Sequence, residues 1–143
     1  MKISKLILAC VLGSMVGNAF AEPVRIICKF DDPEIEKQPE IEFDDKNSST
    51  VSIDGKMLPY TYNKGRNKNG KVELKEFNAS TIAWLDEYES SSSGITNISS
   101  WFYEINRKTG RITYTFKFYD SYSEKTDVST HRGTCTKMAN NGF

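Results

Sequence analysis

Residues 101–118 read WFYEINRKTGRITYTFKF. Trp101, Tyr103 and Ile105 alternate with other residues up to Arg107-Lys108-Thr109-Gly110, and Ile112, Tyr114, Phe116 and Phe118 alternate away from it. Period-2 spacing on both sides of a glycine-ended loop is the pattern of a half-buried β-hairpin. With Gly110 in the left-handed region, the spacing predicts Ile105 opposite Ile112, Tyr103 opposite Tyr114 and Trp101 opposite Phe116. That aromatic ladder is expected at the centre of the core.

The same alphabet runs outward from this hairpin. Beyond residue 21 the chain has only three leucines (Leu58, Leu74, Leu85) and three alanines (Ala79, Ala83, Ala139). Its apolar residues are otherwise mainly Ile, Val, Tyr, Phe and Trp, which fit a pleated surface better than a helix. Val24, Ile26, Cys28 and Phe30 share one face of a first strand, and Ile41 and Phe43 mark a short second one. Val51 and Ile53 lead into Asp54-Gly55, a type I′ turn signal, with Leu58, Tyr60 and Tyr62 beyond it. Pairing across that turn sets Val51 against Leu58 and Ser49 against Tyr60. A further turn is expected at Asn69-Gly70, a serine-rich loop over 90–94, a strand over 81–89, a last strand over 127–137 and a loose tail over 140–143. The expected fold is all-β: a small antiparallel barrel or sandwich of about eight or nine short strands.

The start of the chain has a different character. Lys2 and Lys5 precede an apolar run from Leu6 to Val16, and Asn18-Ala19-Phe20-Ala21 ends in a small-x-small pattern. This is the form of a cleaved export signal of bacterial type, and the run is too short to span a bilayer. Cys10 has the company of a lipid-attachment site but stands too early, since cutting there would strand Val11 to Phe20 on the product. The expected division is a signal over 1–21 and one β domain over 22–143, in the periplasm or outside the cell. Loss of Lys2 and Lys5 from 19 basic residues leaves 17 against 19 acidic, a net −2. That balance is unlike a cationic nucleic-acid binder, and no membrane span is expected in the mature chain.

Loss of Cys10 leaves Cys28 and Cys135. An even count in an oxidising compartment reads as one disulfide, here joining the N- and C-terminal strands. Closing a loop of roughly 100 residues stabilises by about 4–5 kcal/mol in the chain-entropy model. Neither a C-x-x-C motif nor a second histidine beside His131 supports a redox pair or metal site, and no cofactor is expected.

Three stretches carry candidate chemistry. Asp31, Asp32, Glu34, Glu36, Glu40, Glu42, Asp44 and Asp45 crowd one segment; without a calcium-loop pattern they read as a solvated connector and the polar face of an edge strand. Lys64, Arg66, Lys68 and Lys71 form a basic loop able to face a polyanion, though no aromatic interleaves to stack bases. Phe102, Tyr119 and Tyr122 fall off the main alternation and are candidate interface anchors, with a second layer as the alternative for Phe102. His131 has no G-x-S-x-G partner. The expected function is therefore a non-catalytic exported binding module for a protein or small ligand, with Lys64, Arg66, Lys68, Phe102, Tyr119 and Tyr122 as its candidate surface. An inhibitor of an envelope-directed hydrolase is one form of it. The alternatives are a lipocalin-like carrier with Trp101, Tyr103, Tyr114 and Phe116 lining a cavity, and a small hydrolase using His131.

Overall fold

The computed structural model describes residues 22–139, so the expected signal and the tail over 140–143 lie outside the described residues. Ten antiparallel strands and no helix make up this span. They are β1 (Val24–Phe30), β2 (Glu40–Asp44), β3 (Asn47–Ile53), β4 (Lys56–Met57), β5 (Tyr60–Gly65), β6 (Lys68–Phe77), β7 (Thr81–Ser92), β8 (Ile95–Asn106), β9 (Arg111–Asp120) and β10 (Lys125–Lys137). All belong to one sheet in the order β4-β3-β2-β1-β10-β9-β8-β7-β6-β5. The sheet curls into a nearly closed barrel, because its two edge strands, β4 and β5, follow one another in the chain. Only Leu58 and Pro59, joined by a cis peptide bond, separate them.

The 101–118 hairpin has the expected register: Ile105 faces Ile112, Tyr103 faces Tyr114 and Trp101 faces Phe116. Gly110, at φ 68°, supplies the left-handed residue that ends the loop. Asp54 and Gly55, at φ 50° and 77°, both take the positive values a type I′ turn needs. Across that turn Leu58 N–H bonds to the Val51 carbonyl (2.9 Å). The expected Ser49–Tyr60 pair does not form, because Tyr60 turns to Val72 of β6.

Three further expectations need correction. The β5–β6 turn lies at Arg66-Asn67, and Asn69 and Gly70 sit within β6. Gly70 is there because the ring of its partner Tyr62 occupies the space a side chain would need. Ser90, Ser91 and Ser92 belong to β7, and the turn is confined to Ser93-Gly94. The acidic β2 is not an edge strand: it lies between β1 and β3, with Glu40 and Glu42 paired to Arg25 of β1.

Side chains fill the closed part of the barrel. Ile82, Ile105 and Ile112 stand side by side in one row of the sheet, and with Ile41, Val51, Ile53, Leu58 and Phe30 they are buried. Cys28 and Cys135 face each other across β1 and β10 and are bridged, so the disulfide joins the first and last strands as expected. At the end holding the β8–β9 loop, Arg107 binds the carboxylate of Asp45 and the carbonyl of Asn78 (2.6 Å). Its guanidinium lies 5.0 and 5.5 Å from the ring centres of Phe43 and Phe77, so one side chain ties three loops together. Among the described residues no helix is long and apolar enough to cross a membrane.

Candidate functional site

Strand length decides where the barrel opens. β1 stops pairing at Phe30–Gly133, and β2, β3 and β4 are five, seven and two residues long. β10 continues alongside β9 from Arg132 back to Lys125, and β7 and β8 each run for twelve residues. Past the level of Phe30 the wall therefore consists of β5 to β10 alone. It forms a trough with one side missing.

The register places successive rows of side chains along this trough. Next to the isoleucine row come Trp84, Tyr103, Tyr114 and His131; then Asp86, Trp101, Phe116 and Ser129; then Tyr88, Ser99, Phe118 and Asp127. Aliphatic residues thus give way to aromatic ones and then to polar ones from the packed end outward. Tyr103 is buried and stacks on Trp84 (4.7 Å), so it belongs to the packed core. Trp101, Tyr114 and Phe116 are only half-buried. The connector over 31–39 reaches across the barrel at this level, with Pro39 buried, Ile35 packed on the core, and Lys37 Nζ 5.4 Å from the Tyr103 ring centre.

Lys37, Tyr62, Lys64, Asp86, Trp101 and Tyr103 line a cleft of about 250 Å³ in this trough. Tyr62 donates a hydrogen bond to Asp86 Oδ1 (2.8 Å) and stacks parallel to Tyr88 at 6.3 Å. Burial, reinforced by that bond, holds the Tyr62 hydroxyl well above the ordinary tyrosine range. Burial and then the Asp86 charge also raise Tyr60 and Tyr103. Lys64 Nζ lies 5.5 and 5.2 Å from the ring centres of Tyr62 and Tyr88. The cleft thus offers ring faces together with one carboxylate and two ammonium groups, a set suited to an amphipathic ligand or a side chain of a partner protein.

The structure divides the sequence-derived surface. Lys64 joins the trough, while Arg66 lies in the β5–β6 turn and Lys68 begins β6. Phe102 (37% exposed) and Tyr119 (38%) point outward from β8 and β9, and Tyr122 (80%) is in the β9–β10 turn. No second layer covers Phe102 among the described residues. Sequence reasoning passed over Asp86, Tyr88 and Lys37; the alternation of Ile82, Trp84, Asp86 and Tyr88 in β7 was the signal that could have found the first two. On the opposite wall, His131 stacks on Tyr114 (4.8 Å) and its Nδ1 lies 3.3 Å from Asp32 Oδ2. No family model matches this chain, and no curated protein or solved structure matches it either.

Proposed function

We propose that the protein is an exported binding module of the periplasm or cell exterior, and that the aromatic trough between β5 and β10 is its recognition surface. The observation that carries this reading is the row of half-buried rings, Tyr62, Tyr88, Trp101, Phe116 and Phe118, left without a covering strand on the open side. Rigid aromatic side chains gain contact area on binding at little cost in conformational freedom. The Cys28–Cys135 bridge is compatible with an oxidising compartment, which supports export. A protein partner such as an envelope-directed hydrolase is favoured over a carried small molecule, because the closed part of the barrel is filled by its own side chains.

Affinity capture from envelope and secreted proteins tests the reading, with the double variant Trp101→Ala/Phe116→Ala beside the wild type. A partner held by the wild type and lost by the variant is the expected result. Capture that survives this change but fails in Phe102→Ala/Tyr119→Ala would move the interface to the outer face. Equal capture by all three, or none by the wild type, would remove the trough from consideration.

A further inference from the structure

Two side chains on the β10 wall of the trough and one on the connector after β1 stand in the order of an acyl-transfer relay. Ser129 Oγ lies 3.3 Å from His131 Nε2, and His131 Nδ1 lies 3.3 Å from Asp32 Oδ2. Asp32 is itself fixed, since its Oδ1 accepts the backbone N–H of Glu34 (2.9 Å). The stacked Tyr114 ring holds the imidazole plane. With Nδ1–H donating to Asp32, the Nε2 lone pair is left facing the serine hydroxyl, which is the tautomer a general base needs. Ser129 is exposed and Phe116 stands directly across from it, so a bound apolar group would place its neighbour at the hydroxyl.

The backbone supplies a place for developing negative charge. Along β10 the even-numbered residues turn their hydrogen-bonding groups toward β1: Met138 N–H bonds to the Arg25 carbonyl (2.8 Å), and the Arg132 carbonyl accepts Asp31 N–H (2.8 Å). Thr130 keeps this phase, but β1 has ended by that level, and its N–H faces an edge with no strand across from it. The N–H of the residue after a nucleophile is one position from which an oxyanion is stabilised.

We propose that Ser129, His131 and Asp32 hydrolyse a carboxylic ester whose apolar part rests on Phe116 and Trp101. Ser129 Oγ bonds to the carbonyl carbon and its proton passes to His131 Nε2. The carbonyl oxygen takes the negative charge beside Thr130 N–H. As the adduct collapses, the bond from carbonyl carbon to alcohol oxygen breaks and the alcohol leaves with the proton from His131. Water then attacks the acyl-serine, gives a proton to His131 and releases the carboxylic acid, while His131 returns the proton to Ser129. Asp32 orients the imidazole throughout and offsets its charge.

The test uses the disulfide-bonded protein and a fluorophosphonate probe, with adducts located by peptide mass and turnover followed on a short-chain nitrophenyl ester. The expected result is one adduct, on Ser129, absent from Ser129→Ala and formed about a hundredfold more slowly in His131→Ala and Asp32→Asn. Ester turnover should fall in the same order. Circular dichroism and non-reducing mass confirm the fold of each variant, and Asp32→Asn carries the test if His131→Ala does not fold. No adduct on the wild type, an adduct elsewhere, or labelling indifferent to His131 and Asp32 would overturn the proposal. Partner capture by Ser129→Ala is measured separately, so loss of chemistry and loss of binding are distinguished.

Discussion

The ring of Tyr62 lies over Gly70, its partner across the β5–β6 ladder, in the space a β-carbon would fill. The contact sets the position from which Tyr62 reaches Asp86. Gly70→Ala forces the ring aside and is expected to cost about 1–3 kcal/mol, measured by urea unfolding. The change should cost less in a Tyr62→Ala background, where no ring is present to displace, and equal costs in both backgrounds would refute the account.

Gly133 meets backbone instead of a ring. A β-carbon there would stand 2.8 Å from Phe30 Cα and closer still to the Lys29 carbonyl. No side-chain movement relieves that clash, so Gly133→Ala must part β1 from β10. A loss of about 3 kcal/mol or more is expected, the upper end for a single substitution. A loss smaller than that of Gly70→Ala would contradict the packing described.

The disulfide closes a separation of 107 residues around a fully buried Cys28. Replacing both cysteines by alanine should lower unfolding free energy by about 2–5 kcal/mol. Urea midpoints of the wild type with and without reductant provide the same comparison in unmodified sequence, and coincident midpoints would show the bridge to be energetically idle.

Alkaline titration reports on the trough. Burial raises Tyr60, Tyr62, Tyr103 and Tyr114 above the ordinary value, with help from Asp86 at the first three and Asp32 at the last. The folded protein therefore retains these protons after the unfolded chain has begun to lose them. Stability is complete below about pH 10 and falls as pH rises above it. Phenolate absorbance should show these four tyrosines lagging until the protein unfolds. If these four titrate near the ordinary tyrosine value in the folded state, their hydroxyls are not buried as described.

Arg107 should not tolerate lysine. A lysine ammonium cannot span Asp45, the Asn78 carbonyl and the rings of Phe43 and Phe77 as a planar guanidinium does. Arg107→Lys is expected to lose most of the roughly 1.5–3 kcal/mol that Arg107→Ala loses in urea unfolding. Full retention of stability by the lysine variant would argue against this role.

The hairpin over 101–118 was legible to the residue because alternation and a glycine-pinned loop leave one register that keeps the rings on one face. Gly70 misled because Asn-Gly is a turn signal and the demand on it comes from Tyr62, eight positions away in sequence but opposite in the sheet. The serines over 90–92 read as loop by composition, yet long strands carry them outward to the polar end of the trough. The trough itself was hidden. Alternation shows which face a residue takes, whereas the opening arises because β2, β3 and β4 are shorter than the strands they would have to match. Ser129 and Asp32 come together for a related reason: the connector after β1 folds back over His131, and no local pattern encodes that return.

Eight of the nine strand pairings join strands that are consecutive in the chain; the ninth joins β1 to β10. During synthesis from the N-terminus, each strand after the first can meet a partner that already exists, apart from the β4–β5 break. The far sides of β1 and β9 must both wait for the last strand. Until residues 125–137 emerge, β1–β4 and β5–β9 are two separate ribbons, the facing edges of β1 and β9 are open, and the Cys28 thiol is unmatched. Completion of the barrel is thus a single late event that reports the arrival of the chain's other end.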